Sequence, residues 1–323
     1  ELSKEEFFET LGKYLEDYKT TSDKIGFCFS YAAEIYPNKD GKLLEWSKEV
    51  KAPEVLGEMV GKNLLEAMGT PGKQLVLMND TVSTLLAGKA ATAGKSYDTY
   101  IGFILGTGTN TSYIEPNKNI TKTKGLNLSG SQIINIESGN FGKVPRTDID
   151  VAFDNTTKNP GRYSFEKMFS GGYFGGLCTR ALKIAANEGV FSEKSAVAVK
   201  DLKELTSEEV NKFVSGIDLD DNPLSSVFST KEDANVAVEI IDGMIERAAK
   251  LVAANLAAVI LRTGKAKSAE RPVLMTIEGT TFYKLKNFQK MFENFMQEFL
   301  SGNNKRYYEI VEVENSSLLG AAI

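Results

Sequence analysis

The sequence predicts an α/β protein built on a partly parallel sheet. Three observations carry that reading. A buried strand pattern, KQLVLMND (73–80), runs directly into a helical one, TVSTLLAGKAA (81–91). Two β-prone runs flank the turn Gly106-Thr107-Gly108-Thr109-Asn110, as in a hairpin. The second half alternates long helical patterns with a late apolar strand, PVLMTIEG (272–279). Strands that alternate with helices give parallel pairs, and hairpins add antiparallel ones.

Taken in order, residues 4–18 have the apolar spacing of an amphipathic helix, and KIGFCFSY (24–31) reads as a buried strand. LLEWSKEV (43–50) is a short strand entering a loop. APEVLGEMVGKNLLEAM (52–68) has helical spacing with Pro53 in the first turn, where its missing N–H costs nothing. Strands follow at 73–80, 99–105, 111–115 and 131–139, with the helix 81–91 between the first two. Helices are predicted over 163–188 and 232–263, then strands over 272–279 and 306–314. The domain break is expected near Asn79-Asp80, where one strand-to-helix unit closes, giving domains 1–78 and 79–323.

The chain's 323 residues suffice for two domains. Lys plus Arg is 38 against 43 Asp plus Glu, a net charge of −5, and no long basic stripe marks a nucleic-acid surface. No apolar run approaches the roughly 20 residues of a membrane helix, so neither nucleic acid nor membrane is an expected partner. Cys28 and Cys178 lie inside apolar segments, as a reducing cytosol permits, and a cytoplasmic location is the expectation. With no histidine in the chain, His-based metal sites and Ser-His-Asp or Cys-His catalysis are excluded from it. Acid–base work falls to a carboxylate, Lys or Tyr.

Asp80 stands where a buried strand gives way to a helix. There it can cap the helix, and it can also face a ligand, because open α/β sheets bind ligands at the carboxyl ends of their strands. The 106–110 turn reads either as a plain hairpin corner or as a phosphate cradle, since glycine lets successive N–H groups converge on an anion. Glu137 ends an alternating strand. Glu166 falls early in a predicted helix, where the dipole favours acidic residues in any case. The cluster GGYFGG (171–176) weakens a helix by about 1 kcal/mol per glycine and asks for a packing or ligand reason. TIEGTTFYK (276–284) repeats the pattern of a strand, then Gly, then Thr-Thr, and two such turns can face one nucleotide.

Together these stretches resemble, in order through nearly the whole chain, the hexokinase/glucokinase family. The resemblance implies the two-domain actin-like ATPase (ribonuclease H-like) fold. GFCFSYAAEI looks like the family's sugar loop, with Ser30 in the serine position. KLLEWSKEVKAPEVLGEMV is similar to its Thr-Lys segment and puts Ser47 and Lys48 there. LVLMNDTVSTLLA places Asn79 at the sugar-binding position and Asp80 at the catalytic-base position. GFILGTGTNTSY is similar to the second phosphate hairpin, with Gly106, Thr107 and Gly108 towards ATP and Asn110 towards sugar. NIESGNFG implies that Glu137 contacts sugar hydroxyls. NPGRYSFEKMFSGGYFGGL does the same for Glu166 and implies a nucleotide contact for Gly171. IEGTTFYK supplies Gly279 and Thr280, and NSSLLGAAI puts Ser317 at the adenosine position.

The implied activity is ATP-dependent phosphorylation of a hexose, glucose first, at its 6-hydroxyl. ATP and Mg²⁺ are the implied cofactors, with no metal held by protein ligands, and Lys48 would stabilise the transferring group. The alternative is a non-catalytic, hexokinase-like sugar-binding or regulatory protein, because the family's first Gly-Gly-Thr phosphate hairpin has no counterpart in residues 1–323. Without that hairpin, 1–78 is expected to be the remainder of a small domain with an open strand edge, and the chain part of a longer polypeptide. Four smaller departures accompany it: Tyr31-Ala32 for Phe-Pro, Ser47 for Thr, Ser138 for the usual Trp, and Leu318-Leu319 for small and basic residues. The loss of Trp beside Glu137 is expected to enlarge the sugar site.

Overall fold

Helices and strands are mixed along the chain from the first residues. The computed structural model describes residues 1–46 and 52–323. Helix α1 (Lys4–Tyr14) starts at a capping box, in which Ser3 Oγ accepts the Glu6 N–H and the Glu6 carboxylate accepts the Ser3 N–H. Strands β1 (Lys24–Cys28), β2 (Ala32–Ile35) and β3 (Gly41–Glu45) follow, then α2 (Val60–Ala67), β4 (Gln74–Met78) and α3 (Asp80–Ala91). β1 pairs in parallel with β4, Lys24 opposite Gln74 and Cys28 opposite Met78, and β2 pairs with β3 as an antiparallel ribbon. Phe7, Phe8, Leu43, Leu64 and Leu77 fill the core among them.

The next stretch builds one five-stranded sheet and the helices around it. Its elements in order are β5 (Thr99–Leu105), β6 (Thr109–Pro116), β7 (Ser131–Asn135), α4 (Asp148–Asp154), α5 (Phe174–Asn187), α6 (Glu193–Asp201), α7 (Ser207–Ser215), α8 (Lys231–Thr263), β8 (Val273–Glu278), α9 (Thr280–Lys284), α10 (Phe288–Phe299) and β9 (Tyr308–Val311). The strand order is β7-β6-β5-β8-β9, with β5 antiparallel to β6 and parallel to β8. Ile101, Phe103, Phe174, Ile241, Phe282 and Phe292 are among the residues that close the core. The chain ends in α11 (Ser316–Ala321), which lies on α3. Residues Glu1–Lys95 with Val311–Ile323 form one unit, and Ser96–Ile310 a second. The strand-to-helix junction at Asn79-Asp80 lies inside the first.

Several predicted elements differ in extent. Residues 163–188 are not one helix: a single tight turn at 166–168 precedes α5, and Gly171-Gly172 separate them. Residues 52–68 likewise split into a turn at 53–55 and α2, with Gly57 at φ 82° between. The strand predicted over 131–139 stops at Asn135, because Glu137 takes a left-handed backbone. β1 ends at Cys28 rather than at residue 31, and the next residues form β2, which the sequence reading did not include.

Candidate functional site

In the second unit, the ends of β6 and β7 build a polar corner. Asn110 is buried, and its Oδ1 accepts N–H bonds from Thr111 (2.7 Å) and Ser138 (3.3 Å). Those two bonds fix the amide, so its Nδ2 faces Asn135 Oδ1 at 2.7 Å and Glu137 Oε1 at 3.1 Å. Asn135 Nδ2 donates to the same Glu137 oxygen at 2.9 Å. β7 delivers the pair: Ile136 N–H makes a bond to Thr111 O (3.0 Å), and the chain then turns through Glu137 at φ 54°, ψ 47°. That conformation is uncommon for a residue with a Cβ. Two amides and an exposed carboxylate thus sit side by side, a donor and acceptor set that suits vicinal hydroxyls.

Glu166 reaches this corner from the turn at 166–168. Its Oε2 accepts the Thr109 N–H at 2.8 Å. It lies so close to two glycines that a Cβ on Gly108 or Gly139 would stand 2.7 or 3.0 Å from it. The next residue holds the turn in place. Buried Lys167 donates to Asp154 Oδ1 and Asn159 O, each at 2.6 Å, and Asp154 also takes Arg146 and the Gly161 N–H. Burial pushes the Asp154 carboxyl up, but the Lys167 ammonium, the Gly161 N–H and Arg146 outweigh it and hold the group below the usual carboxylate range. Removing one partner of such a pair costs about 3–5 kcal/mol, because the other charge is left buried alone. Burial raises the Tyr173 phenol nearby, and the charge of Glu166 raises it further.

The Gly106–Gly108 turn is where three segments meet. Gly106 N–H bonds Gly108 O at 3.0 Å. Gly171 and Gly172 donate to the carbonyls of Gly106 and Thr107 at 2.8 and 2.9 Å, and Thr281 Oγ1 donates to Gly106 O at 3.1 Å. Gly279 has φ +125°, and a Cβ there would meet Leu105 O at 2.2 Å. Thr107 forms the exposed tip. Among the described residues, the N–H groups of Thr107 and Gly108 donate to no protein group. Thr280 is exposed at the start of α9.

In the first unit, Ser30 lies just past β1 and Asn79-Asp80 just past β4, at the carboxyl ends of the parallel pair. Helix α3 is capped by Asn79, whose Oδ1 accepts the Thr81 N–H at 2.9 Å. The cap therefore falls one residue before Asp80, which occupies the first turn with Oδ1 2.8 Å from the same N–H. Ser317 is half-buried on α11, whose neighbouring Ser316 hydroxyl pairs with Thr84 Oγ1 at 2.9 Å. Ser47 and Lys48 lie outside the described residues.

Within the second unit, then, Asn110, Glu137 and Glu166 come together, as do Gly106–Gly108, Gly171 and Gly279. Asn135 belongs to the corner and was missed, although alternation along the strand places it on the same side as Glu137, two residues on.

A two-unit α/β architecture with this sheet order and these glycine turns defines the actin-like ATPase class of fold. The solved structure titled as hexokinase from Schistosoma mansoni complexed with glucose superposes with a TM-score of 0.78 over 98% of this chain and 74% of that one, at 23% identity. The family model described as Hexokinase matches residues 100–323, and a second of the same description matches residues 3–90. Hexokinase-7 of Oryza sativa subsp. japonica is 30% identical over 93% of this chain and 67% of its own length. Hexokinase-2 of Schizosaccharomyces pombe is 30% identical over 99% of this chain and 70% of its own. The hexokinase-like 1 protein of Arabidopsis thaliana is also 30% identical, and the chain spans 63% of it. The chain belongs to the hexokinase family.

Proposed function

We propose that this chain carries out the ATP-dependent phosphorylation of a hexose, glucose first, at the 6-hydroxyl. The observation that carries the reading is the Asn110–Asn135–Glu137 corner, joined through Glu166 and Thr109 to a glycine turn with two amides that donate to no protein group among the described residues. Asn110, Glu137 and Glu166 hold the sugar hydroxyls, with Ser30, Ser47, Lys48 and Asn79 as further contacts. Asp80 takes the proton of the attacking hydroxyl, which needs no histidine.

The turn fits a polyphosphate. Thr107 and Gly108 present N–H groups at an exposed tip, and Gly171 and Gly279 let three backbones approach where a side chain would collide. These residues, with Thr280 and Ser317, would hold ATP, which with Mg²⁺ supplies the phosphoryl group and its charge neutralisation when bound. The protein's own contribution is positioning and proton removal, the terms that dominate phosphoryl transfer.

A coupled assay with glucose and ATP tests the reading, with Asp80→Ala as the decisive variant. Loss of a general base costs about 10²–10⁴ in rate, and normal turnover in the variant removes Asp80 from the role. A panel of mannose, fructose and N-acetylhexosamine sets the substrate. A second reading, a non-catalytic sugar-binding protein, draws on the similarity to the hexokinase-like protein of Arabidopsis thaliana. Calorimetric glucose binding without ATP turnover by the wild-type protein supports it.

A further inference from the structure

The corner is braced from behind by a polar chain that the proposed chemistry does not use. Asn255 on α8 donates its side-chain amide to Thr111 Oγ1 at 2.8 Å. Thr111 Oγ1 lies 3.0 Å from Ser138 Oγ, and either hydroxyl can donate. Ser138 directly follows Glu137, and its N–H reaches Asn110 Oδ1 at 3.3 Å. Thr111 is fully buried and Ser138 is 5% exposed. The Ser138 hydroxyl is therefore turned into the protein rather than towards solvent, and its partners occupy the space behind the turn.

The consequence concerns the left-handed backbone at Glu137. A non-glycine residue in that region carries strain and persists only where its surroundings over-determine it. Ser138 supplies two anchors one residue on, its hydroxyl to Thr111 and its N–H to Asn110. The first of those depends on Thr111, which Asn255 in turn holds from a long helix in the core. The same Thr111 also gives its N–H to Asn110 Oδ1, so one residue orients both polar ends of the corner.

We infer that Asn255, Thr111 and Ser138 are positioning residues that set the aim of Glu137 and Asn110, and hence affinity for the polyol ligand. The inference rests on the sugar-binding reading above. Its predicted signature is a change in binding with little change in the chemical step, because none of the three touches the reacting atoms.

The experiment compares wild-type protein with Thr111→Val, which keeps the shape and removes the hydroxyl, Thr111→Ser, which restores it, and Asn255→Ala. Glucose affinity is read by calorimetry, KM and kcat by coupled assay, and folding by thermal melting. Thr111→Val is expected to weaken glucose binding and raise KM about ten-fold, ~1.4 kcal/mol, within what the two hydrogen bonds lost with the hydroxyl can supply, with kcat within about two-fold. Thr111→Ser is expected to restore affinity, and Asn255→Ala to weaken it about three-fold or more. If Thr111→Val does not fold, Asn255→Ala carries the comparison. Wild-type affinity in the folded variants, or a melting change alone, overturns the positioning role while leaving the sugar site intact. A wild-type protein that binds no hexose overturns the sugar-binding reading and this inference with it.

Discussion

Gly279 shows how much a single position decides. Its φ of +125° belongs to a region that residues with a Cβ rarely enter, and an added Cβ would sit 2.2 Å from Leu105 O and 2.7 Å from Gly106 N. Neither atom is a flexible side-chain tip; both are backbone of the strand and turn that hold Thr107. Gly279→Ala is expected to lose about 3 kcal/mol, the upper range of backbone strain. That is a drop of roughly 6–12 °C in the melting of a unit of this size. Nucleotide affinity is expected to fall with it, and scanning calorimetry with a nucleotide titration checks both. At this scale the sequence was partly legible. Asn110, Glu137 and Gly279 were placed by the resemblance of their segments to the hexokinase/glucokinase family, since a lone carboxylate or glycine at a strand end does not stand out. Asn135 could have been added from strand alternation, but Thr111 and Asn255 could not, because nothing in a lone Asn or Thr says what it bonds until strand and helix are packed together.

Among elements, the long periodic segments were the readable ones. α8 was predicted over 232–263 and spans Lys231–Thr263, capped at both ends by Thr230 and Gly264. The 163–188 prediction failed because apolar spacing continues across Gly171-Gly172, while the backbone there leaves the helix to bond Gly106 and Thr107. A non-local partner won over a local pattern, which periodicity cannot register. The start of α8 also carries a pH dependence. The Asp233 carboxylate accepts the Ser192 and Ser195 hydroxyls and the Ser192 N–H, tying α8 to the start of α6. The Ser192 hydroxyl and N–H, then the Ser195 hydroxyl, lower its pKa from 3.8 to about 2. A folded pKa below the unfolded one means that the stabilisation is complete above about pH 4 and is lost as pH falls through about 2. Asp233→Asn is thus expected to melt below the wild type at pH 7, with the gap narrowing towards pH 2. Melting curves at the two pH values check it, and a gap that is constant or widens in acid removes the linkage.

At the scale of the whole chain, two units with separate cores set the expectation for unfolding. The first unit rests on a two-stranded parallel pair, a two-stranded ribbon and a small core around Phe7, Leu43 and Leu64. Two-stranded sheets are marginal without helix packing, and small cores bury too little to offset much chain entropy. The second unit has a five-stranded sheet and a far larger core around Phe103, Phe174 and Ile241. One probe separates them. Trp46 is the chain's single tryptophan, and it belongs to the first unit, packed edge-on against Tyr31 at 4.7 Å and Phe7 at 5.4 Å. Most of the helix lies in the second unit, with α5 and α8 alone contributing 14 and 33 residues. In urea, Trp46 fluorescence is expected to change at lower denaturant than far-ultraviolet circular dichroism, with a shallower slope because less surface is exposed. Coincident midpoints and slopes would instead describe one cooperative transition. The cores would then be energetically coupled, and the first unit would owe its stability to the second.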